Sequence, residues 1–376
     1  MKKDDNHFSF EEEFHAKDRK QDRKERKHAT TTDRSKYKKS DQDQLKKREH
    51  KPLSSQENLK KGRVLAITPE GIIVDAQDQL FICNLKGSLK KEKNRLKNLV
   101  AVGDFVHFVS SSEKEGSIIQ IEERYSILSR ADNLSRRKEQ LIAVNIDQVL
   151  ITTSVVSPPL KTQLIDRYII AAEKGNMQPI IVVNKIDLLD SPPLGINLEL
   201  IEQEKALFKE FLKTYQDLNI PIFVVSAETN RGMDLLKDAM RNKASVFSGQ
   251  SGVGKSSLIN GIAGTSLKTG KIVEKTHKGS HTTSTAYLLP LENGGFCIDT
   301  PGIRSFGVWD LSLQEIRSYF TEIHAASENC RYPDCTHLQE PGCAVQKLVE
   351  NNQISNLRFS SYCALMESVK TQHKNR

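Results

Sequence analysis

Five short motifs occur in an order that restricts how this 376-residue chain can be wired into a sheet. Asn184-Lys185-Ile186-Asp187 comes first and Ser226-Ala227-Glu228 second. Gly249-Gln250-Ser251-Gly252-Val253-Gly254-Lys255-Ser256 is third, followed by His281-Thr282-Thr283 and then Asp299-Thr300-Pro301-Gly302. The third fits G-x-x-x-x-G-K-[ST], the loop that cradles nucleotide phosphates where a strand passes into a helix. Here it lies between the apolar run Ala244–Phe247 and a helical pattern over Ser257–Ile262. Guanine-reading sites ordinarily place that loop first and the Asn-Lys-x-Asp tetrapeptide last, so the chain reads as a cyclic rotation of such a site.

Each motif has a chemical reason. The glycines let backbone N–H groups curl around phosphate, with Gly249, Gln250, Ser251, Gly252, Val253 and Gly254 forming the wall. Lys255 reaches the β and γ oxygens as a catalytic charge, and Ser256 offers a hydroxyl to Mg²⁺, with Ser257 completing the helix start. Asp187 can accept from both N1 and N2 of guanine, a donor pair adenine lacks. Asn184 is expected to tie the base-reading loop to the phosphate loop, beside Lys185. Ser226 and Ala227 follow the next strand, where the Ala227 N–H suits the guanine O6. Asp299 suits Mg²⁺ through water, and the Gly302 N–H suits the γ-phosphate. Thr283, with Thr282 next, is the expected switch ligand of Mg²⁺. Ile303 stands where many such sites carry a water-orienting glutamine, so unassisted hydrolysis is expected to be slow, on the order of 10⁻⁴ to 10⁻² per second. His281, beside the switch threonine, is the candidate that positions the water.

The surrounding pattern supplies the fold class. Residues 1–58 form a charged tail: its first 50 hold 16 Lys/Arg against 12 Asp/Glu, with no Val or Ile. Such a segment buries too little to offset the entropy of ordering and is expected to be disordered. Residues 59–129 carry five short strand patterns, pointing to a β-barrel of the oligonucleotide-binding (OB-fold) kind with a basic loop at Lys86–Arg95. From 130 to 307 apolar runs alternate with helical segments, as in a doubly wound α/β sheet whose ligand lies at the carboxyl ends of the strands. The remainder, 308–376, reads as mainly polar helix around Cys330, Cys335, His337 and Cys343. Three thiolates and an imidazole within 14 residues suit one closed tetrahedral Zn²⁺ with a structural role. Cys83, Cys297 and Cys363 fall on apolar or helical stretches and are expected to be buried free thiols.

No apolar run is long enough to span a bilayer and the N-terminus lacks a signal segment, so no membrane partner and a cytoplasmic location are expected.

Barrel, rotated motifs and cysteine cluster, in this order, resemble the ribosome small-subunit-dependent GTPase A family of circularly permuted bacterial GTPases. The match runs over about residues 60 to 376. It rests on Val102-Gly103-Asp104, Ser129-Arg130, Gly249–Ser257, Gly279–Thr283, Asp299–Arg304 and Cys330–Cys343. The resemblance implies a GTPase that binds the small ribosomal subunit and its rRNA, acts late in its maturation, and is stimulated by it, with His281 assisting hydrolysis. A monomer is expected. The competing readings are a nucleotide-gated RNA-binding module and a permuted GTPase serving the large subunit.

Overall fold

The computed structural model describes residues 59–86, 99–131, 139–192, 197–263, 286–292, 294–299 and 311–374. Of the sequence expectations, those at His281, Thr282, Thr283, Gly302, Ile303 and residues 1–58 lie outside these ranges, and Asp299 is described through its backbone only.

Five short strands close on themselves. β1 (Leu59–Thr68), β2 (Gly71–Ala76), β3 (Gln79–Leu85), β4 (Phe105–Ser110) and β5 (Glu115–Ile121) form a barrel in the order β1-β2-β3-β5-β4. All neighbours are antiparallel except β3 and β5. Alternation sends Val106 and Phe108 of β4, Phe81 and Cys83 of β3 and Ile118 of β5 inward, and the Phe81 and Phe108 rings meet 5.0 Å apart. Closure removes the free strand edges that an open sheet of this size would expose.

A hairpin, β6 (Ile127–Ala131) with β7 (Glu139–Val144), joins the barrel to the sheet. The sequence reading did not separate it, because its strands fall on either side of a polar stretch. β8 (Gln148–Ser154) then opens the α/β unit and is buried at every position, as a parallel strand covered on both faces must be. The chain continues through α1 (Thr162–Lys174), β9 (Gln178–Asn184), α2 (Asp187–Asp190), α3 (Leu198–Asp217) and β10 (Ile222–Val224). It returns by α4 (Met233–Ala239) to β11 (Ala244–Ser248), enters α5 (Lys255–Ala263), and ends the sheet with β12 (Tyr287–Pro290) and β13 (Phe296–Asp299). The strand order is β10-β9-β8-β11-β13-β12. From β8 the chain winds outward through β9 and β10 on one side, and β11, β13 and β12 lie on the other. The β8/β11 boundary is therefore the switch point at whose carboxyl ends a ligand crevice opens. β12 is antiparallel to β13, the one antiparallel pair among the described strands of this sheet.

The C-terminal helices differ from the expectation of mainly polar segments. α6 (Leu313–Tyr319), α7 (Thr321–Ser327), α8 (Ala344–Glu350) and α9 (Asn356–Lys374) enclose a core of their own around Ile316, Phe320, Ile323, Val345, Tyr362 and Met366. Helices with solvated outer faces look polar in composition while turning most of their apolar residues inward. A Ser312–Glu315 capping box starts α6.

A buried charge cluster fastens this unit to the sheet's helices. Arg358 of α9 donates to Asp166 of α1 at 2.5 Å and to both oxygens of Glu322 of α7 at 2.7 and 3.3 Å. Tyr215 of α3 donates to the same Asp166 oxygen at 2.8 Å. Burial pushes the Asp166 carboxyl up, while Arg358 beside it works in the opposite direction. Asp166 is fully buried and the Arg358 side chain is 4% exposed, so removing one partner strands a charge away from water. Arg358→Ala is expected to lower unfolding stability in urea by about 3–5 kcal/mol, and Arg358→Met combined with Asp166→Leu to recover most of that loss. Equal stability of Arg358→Ala and the native chain would show that the cluster is dispensable.

Candidate functional site

The sheet brings the separated motifs together. β11 runs into Gly249, whose φ is +142° and whose added Cβ would lie 2.1 Å from the Thr152 carbonyl oxygen on neighbouring β8. Only glycine lets the loop pass so close to the adjacent strand. Gly254, at φ +88°, lies against Asn184: a Cβ there would stand 2.5 Å from its Nδ2. The loop then enters α5 at Lys255, with Ser256 and Ser257 exposed in the first turn and Val253 buried beneath. A helix start of this kind directs its unpaired N–H groups outward and favours an anion. The Lys255 ammonium donates to the carbonyls of Gly249 and Gln250, at 2.8 and 2.7 Å, which holds the lysine stem across the loop. Gln250 reaches the Pro159 carbonyl at 3.3 Å.

Asn184 ends β9 with 1% of its surface exposed. Its Nδ2 donates to the Val253 carbonyl at 2.9 Å, and its Oδ1 accepts from the Ala227 N–H at 3.1 Å. One amide thus spans the phosphate loop, the Asn-Lys-x-Asp loop and the loop after β10. The Ala227 N–H assigned to guanine in the sequence reading is here engaged by Asn184. Ser226 is buried, and its hydroxyl accepts from the Thr229 N–H at 3.1 Å, closing that loop on itself. Lys185 adopts φ +62° and donates to the Ser157 carbonyl at 2.9 Å, which places its stem along the Gly254 side of the phosphate loop. Asp187 starts α2, and its Oδ1 is buried with no hydrogen-bond partner. An unpaired buried carboxylate oxygen is costly unless something donates to it, and guanine carries the donors this position needs. The Asp299 backbone ends β13, which pairs with β11, the strand that leads into the phosphate loop.

The second centre lies in the C-terminal unit. The donor atoms of Cys330, Cys335, His337 and Cys343 all lie within 4.8 Å of one another. Cys330 Sγ and Cys343 Sγ are 3.9 Å apart, and the His337 Nδ1 is 3.5 and 3.4 Å from them. A tetrahedral zinc ion at ordinary bond lengths imposes about 3.8 Å between sulfurs and about 3.5 Å between sulfur and nitrogen. The residues fit such an ion. Burial holds the His337 imidazole down to about 4, hence neutral as a ligand must be. Burial pushes the Cys335 thiol up to about 12, a cost that coordination to a cation offsets. Glu340 organises the loop between the ligands. Burial opposes its ionisation, yet the Thr336 hydroxyl and the N–H groups of Thr336, Leu338 and Gln339 donate to its carboxylate and hold it down to about 2.

Two clusters escaped the sequence reading: the Arg358–Asp166 pair and a junction around Asn145. The junction has Asn145 donating to the Gly103 carbonyl at 3.1 Å and accepting from the Tyr125 N–H at 3.0 Å. Asp166 left one trace, an acid inside the apolar stripe of α1. No motif marked Asn145.

Residues 121–309 match the RsgA GTPase family. The chain is 41% identical over 318 residues to the small ribosomal subunit biogenesis GTPase RsgA of Chlorobaculum parvum, which aligns 82% of this chain with 97% of that protein. It is 36% identical to the protein of the same name from Shewanella oneidensis, over 84% of this chain and 85% of the relative. Among solved structures it is similar to YjeQ from Thermotoga maritima, with a TM-score of 0.65, 29% identity, and 82% and 98% of the two chains covered. It is also similar to YloQ, described as a circularly permuted GTPase, with a TM-score of 0.63, 25% identity, and 85% and 98% covered.

Two outcomes follow from the geometry. Asp187→Asn is expected to weaken GTP binding about tenfold or more and to improve binding of xanthosine triphosphate, measured by nucleotide titration; unchanged preference would remove Asp187 from base reading. Cys335→Ser is expected to lose the bound metal in elemental analysis and to lower the stability of the C-terminal helices while nucleotide still binds; a full metal complement in the variant would refute the ligand set.

Proposed function

Because this chain belongs to the RsgA GTPase family, we propose that its two centres serve one activity, GTP hydrolysis coupled to a ribosomal partner. The protein is a GTP hydrolase acting in maturation of the small ribosomal subunit, the role after which its relatives are named. The observation that carries the site reading is the Asn184 amide, which holds three nucleotide-facing loops in one crevice with the unpaired Asp187 oxygen at its edge.

In this reading guanine sits against Asp187 and Lys185, with the loop at Ser226 and Ala227 closing over the base. The phosphates lie on Gly249–Ser257, and Lys255 turns from the loop carbonyls to the β and γ oxygens. Ser256, Asp299 and Thr283 are the groups that would hold Mg²⁺, which supplies charge neutralisation on the phosphates. Gly302 meets the γ-phosphate, and His281 positions the attacking water. The metal of the cysteine cluster is zinc, in a closed structural site. The barrel and the zinc unit supply surfaces for rRNA of the small subunit. No helix among the described residues is long and apolar enough to cross a membrane.

The test is GTP turnover with purified small and large subunits added separately. Small subunits are expected to accelerate hydrolysis, large subunits not. His281→Ala should lose about 10²-fold of the stimulated rate while keeping GTP and subunit binding. Acceleration by large subunits alone would overturn the partner, and full stimulation of His281→Ala would overturn the role of the histidine.

A further inference from the structure

The barrel grips the β12–β13 hairpin through a pair of facing residues on β1 and β2. Arg63 and Asp75 are cross-strand partners in the barrel. Arg63 is buried, and its guanidinium lies between two rings, 5.0 Å from the Phe105 centroid of β4 and 4.7 Å from the Phe296 centroid of β13. It also donates to the Asn145 carbonyl, just before β8. Asp147, two residues on, accepts the Ala244 N–H at 2.6 Å at the start of β11. One side chain therefore fixes the lower ends of β8 and β13 together, and β11 is tied to the same point.

At the other end of the hairpin, Tyr287 of β12 pairs with Asp299 of β13. Its hydroxyl and the Asp75 Oδ1 are both buried without a hydrogen-bond partner. Burial pushes the Tyr287 hydroxyl up, and the nearby Asp75 carboxylate adds to the shift. β1 packs along β12 between these points. The barrel thus touches the hairpin at Phe296, where β13 begins, and at Tyr287, level with Asp299, where it ends.

We infer that Arg63 is a positioning residue for hydrolysis: through Phe296 it sets the placement of β13 and so of Asp299, which makes the barrel a control element for the phosphate end of the site. The inference rests on the GTPase reading above. It does not depend on which partner loads the barrel. A guanidinium held between two rings has little freedom, so displacement of β1 is passed to β13 and not absorbed by rotamer change.

The experiment measures kcat and KM for GTP in the full chain, with and without small subunits, for Arg63→Met, Arg63→Lys and Phe296→Leu. Arg63→Met should lower kcat about tenfold with KM within about twofold, since small misplacements of catalytic groups act on turnover more than on binding. Arg63→Lys, which keeps charge but not the planar stack, should fall between. Arg63→Met with Phe296→Leu should be no slower than the worse single variant. Melting temperature and metal content establish folding; if Arg63→Met fails to fold, Arg63→Lys decides. Native kcat in a folded Arg63 variant, or additive losses in the double variant, would overturn the inference. If subunits fail to stimulate the native chain, the partner reading falls, and the unstimulated kcat of the variants still decides the role of Arg63.

Discussion

The nucleotide crevice depends on one buried amide. Asn184 donates to Val253 and accepts from Ala227, joining loops that lie 69 and 43 residues away along the chain. Backbone groups at the ends of neighbouring strands diverge as the sheet twists, and without a cross-link each loop would settle by itself. An amide suits the task because it offers a donor and an acceptor on one rigid plane; an aspartate there would have only acceptors. The bridge is indifferent to chain order. It needs β9, β10 and β11 to end at one level of the sheet, and that is why a rotated sequence can rebuild the same crevice.

Sequence patterns carried the strands and loops of the crevice because their causes are local. A strand covered on both faces carries an unbroken apolar run, as Val149–Ile151 of β8 and Ile180–Val183 of β9 do, and a loop whose added Cβ would lie 2.1 Å from a neighbouring carbonyl must hold glycine. The cysteine cluster was equally legible, since its four donors lie close together in the chain. What escaped were pairings between distant residues. Nothing near Arg358 signals that its partner is Asp166, and nothing near Arg63 signals Phe296. The apolar content of the C-terminal helices was overlooked for a related reason: three of the four have seven residues each, and their core becomes visible only when four inner faces are added together.

Both appended units meet the central sheet through buried arginines, with different physics. Arg358 is neutralised by Asp166 and Glu322, a charged cluster whose desolvation is offset by directional hydrogen bonds. Arg63 lies between rings, with its Nε buried and unpaired, and burial holds its pKa below the usual value. The first arrangement fixes an orientation and fails sharply if broken. The second confines the guanidinium by ring contact instead of by paired charges, so a shift of β1 reaches β13 through packing.

The strand order has a consequence for synthesis. β8, β9 and β10 leave the ribosome as a contiguous block, but β8 lacks its other neighbour until Ser248 has been made, and β13 ends only at Asp299. Parallel pairing across nearly one hundred residues is slow to form. A nascent chain that has passed Glu228 but not Asp299 holds the base-reading loops without the complete phosphate side. Until β11 is made, the half-built sheet waits with one edge of its central strand unpaired.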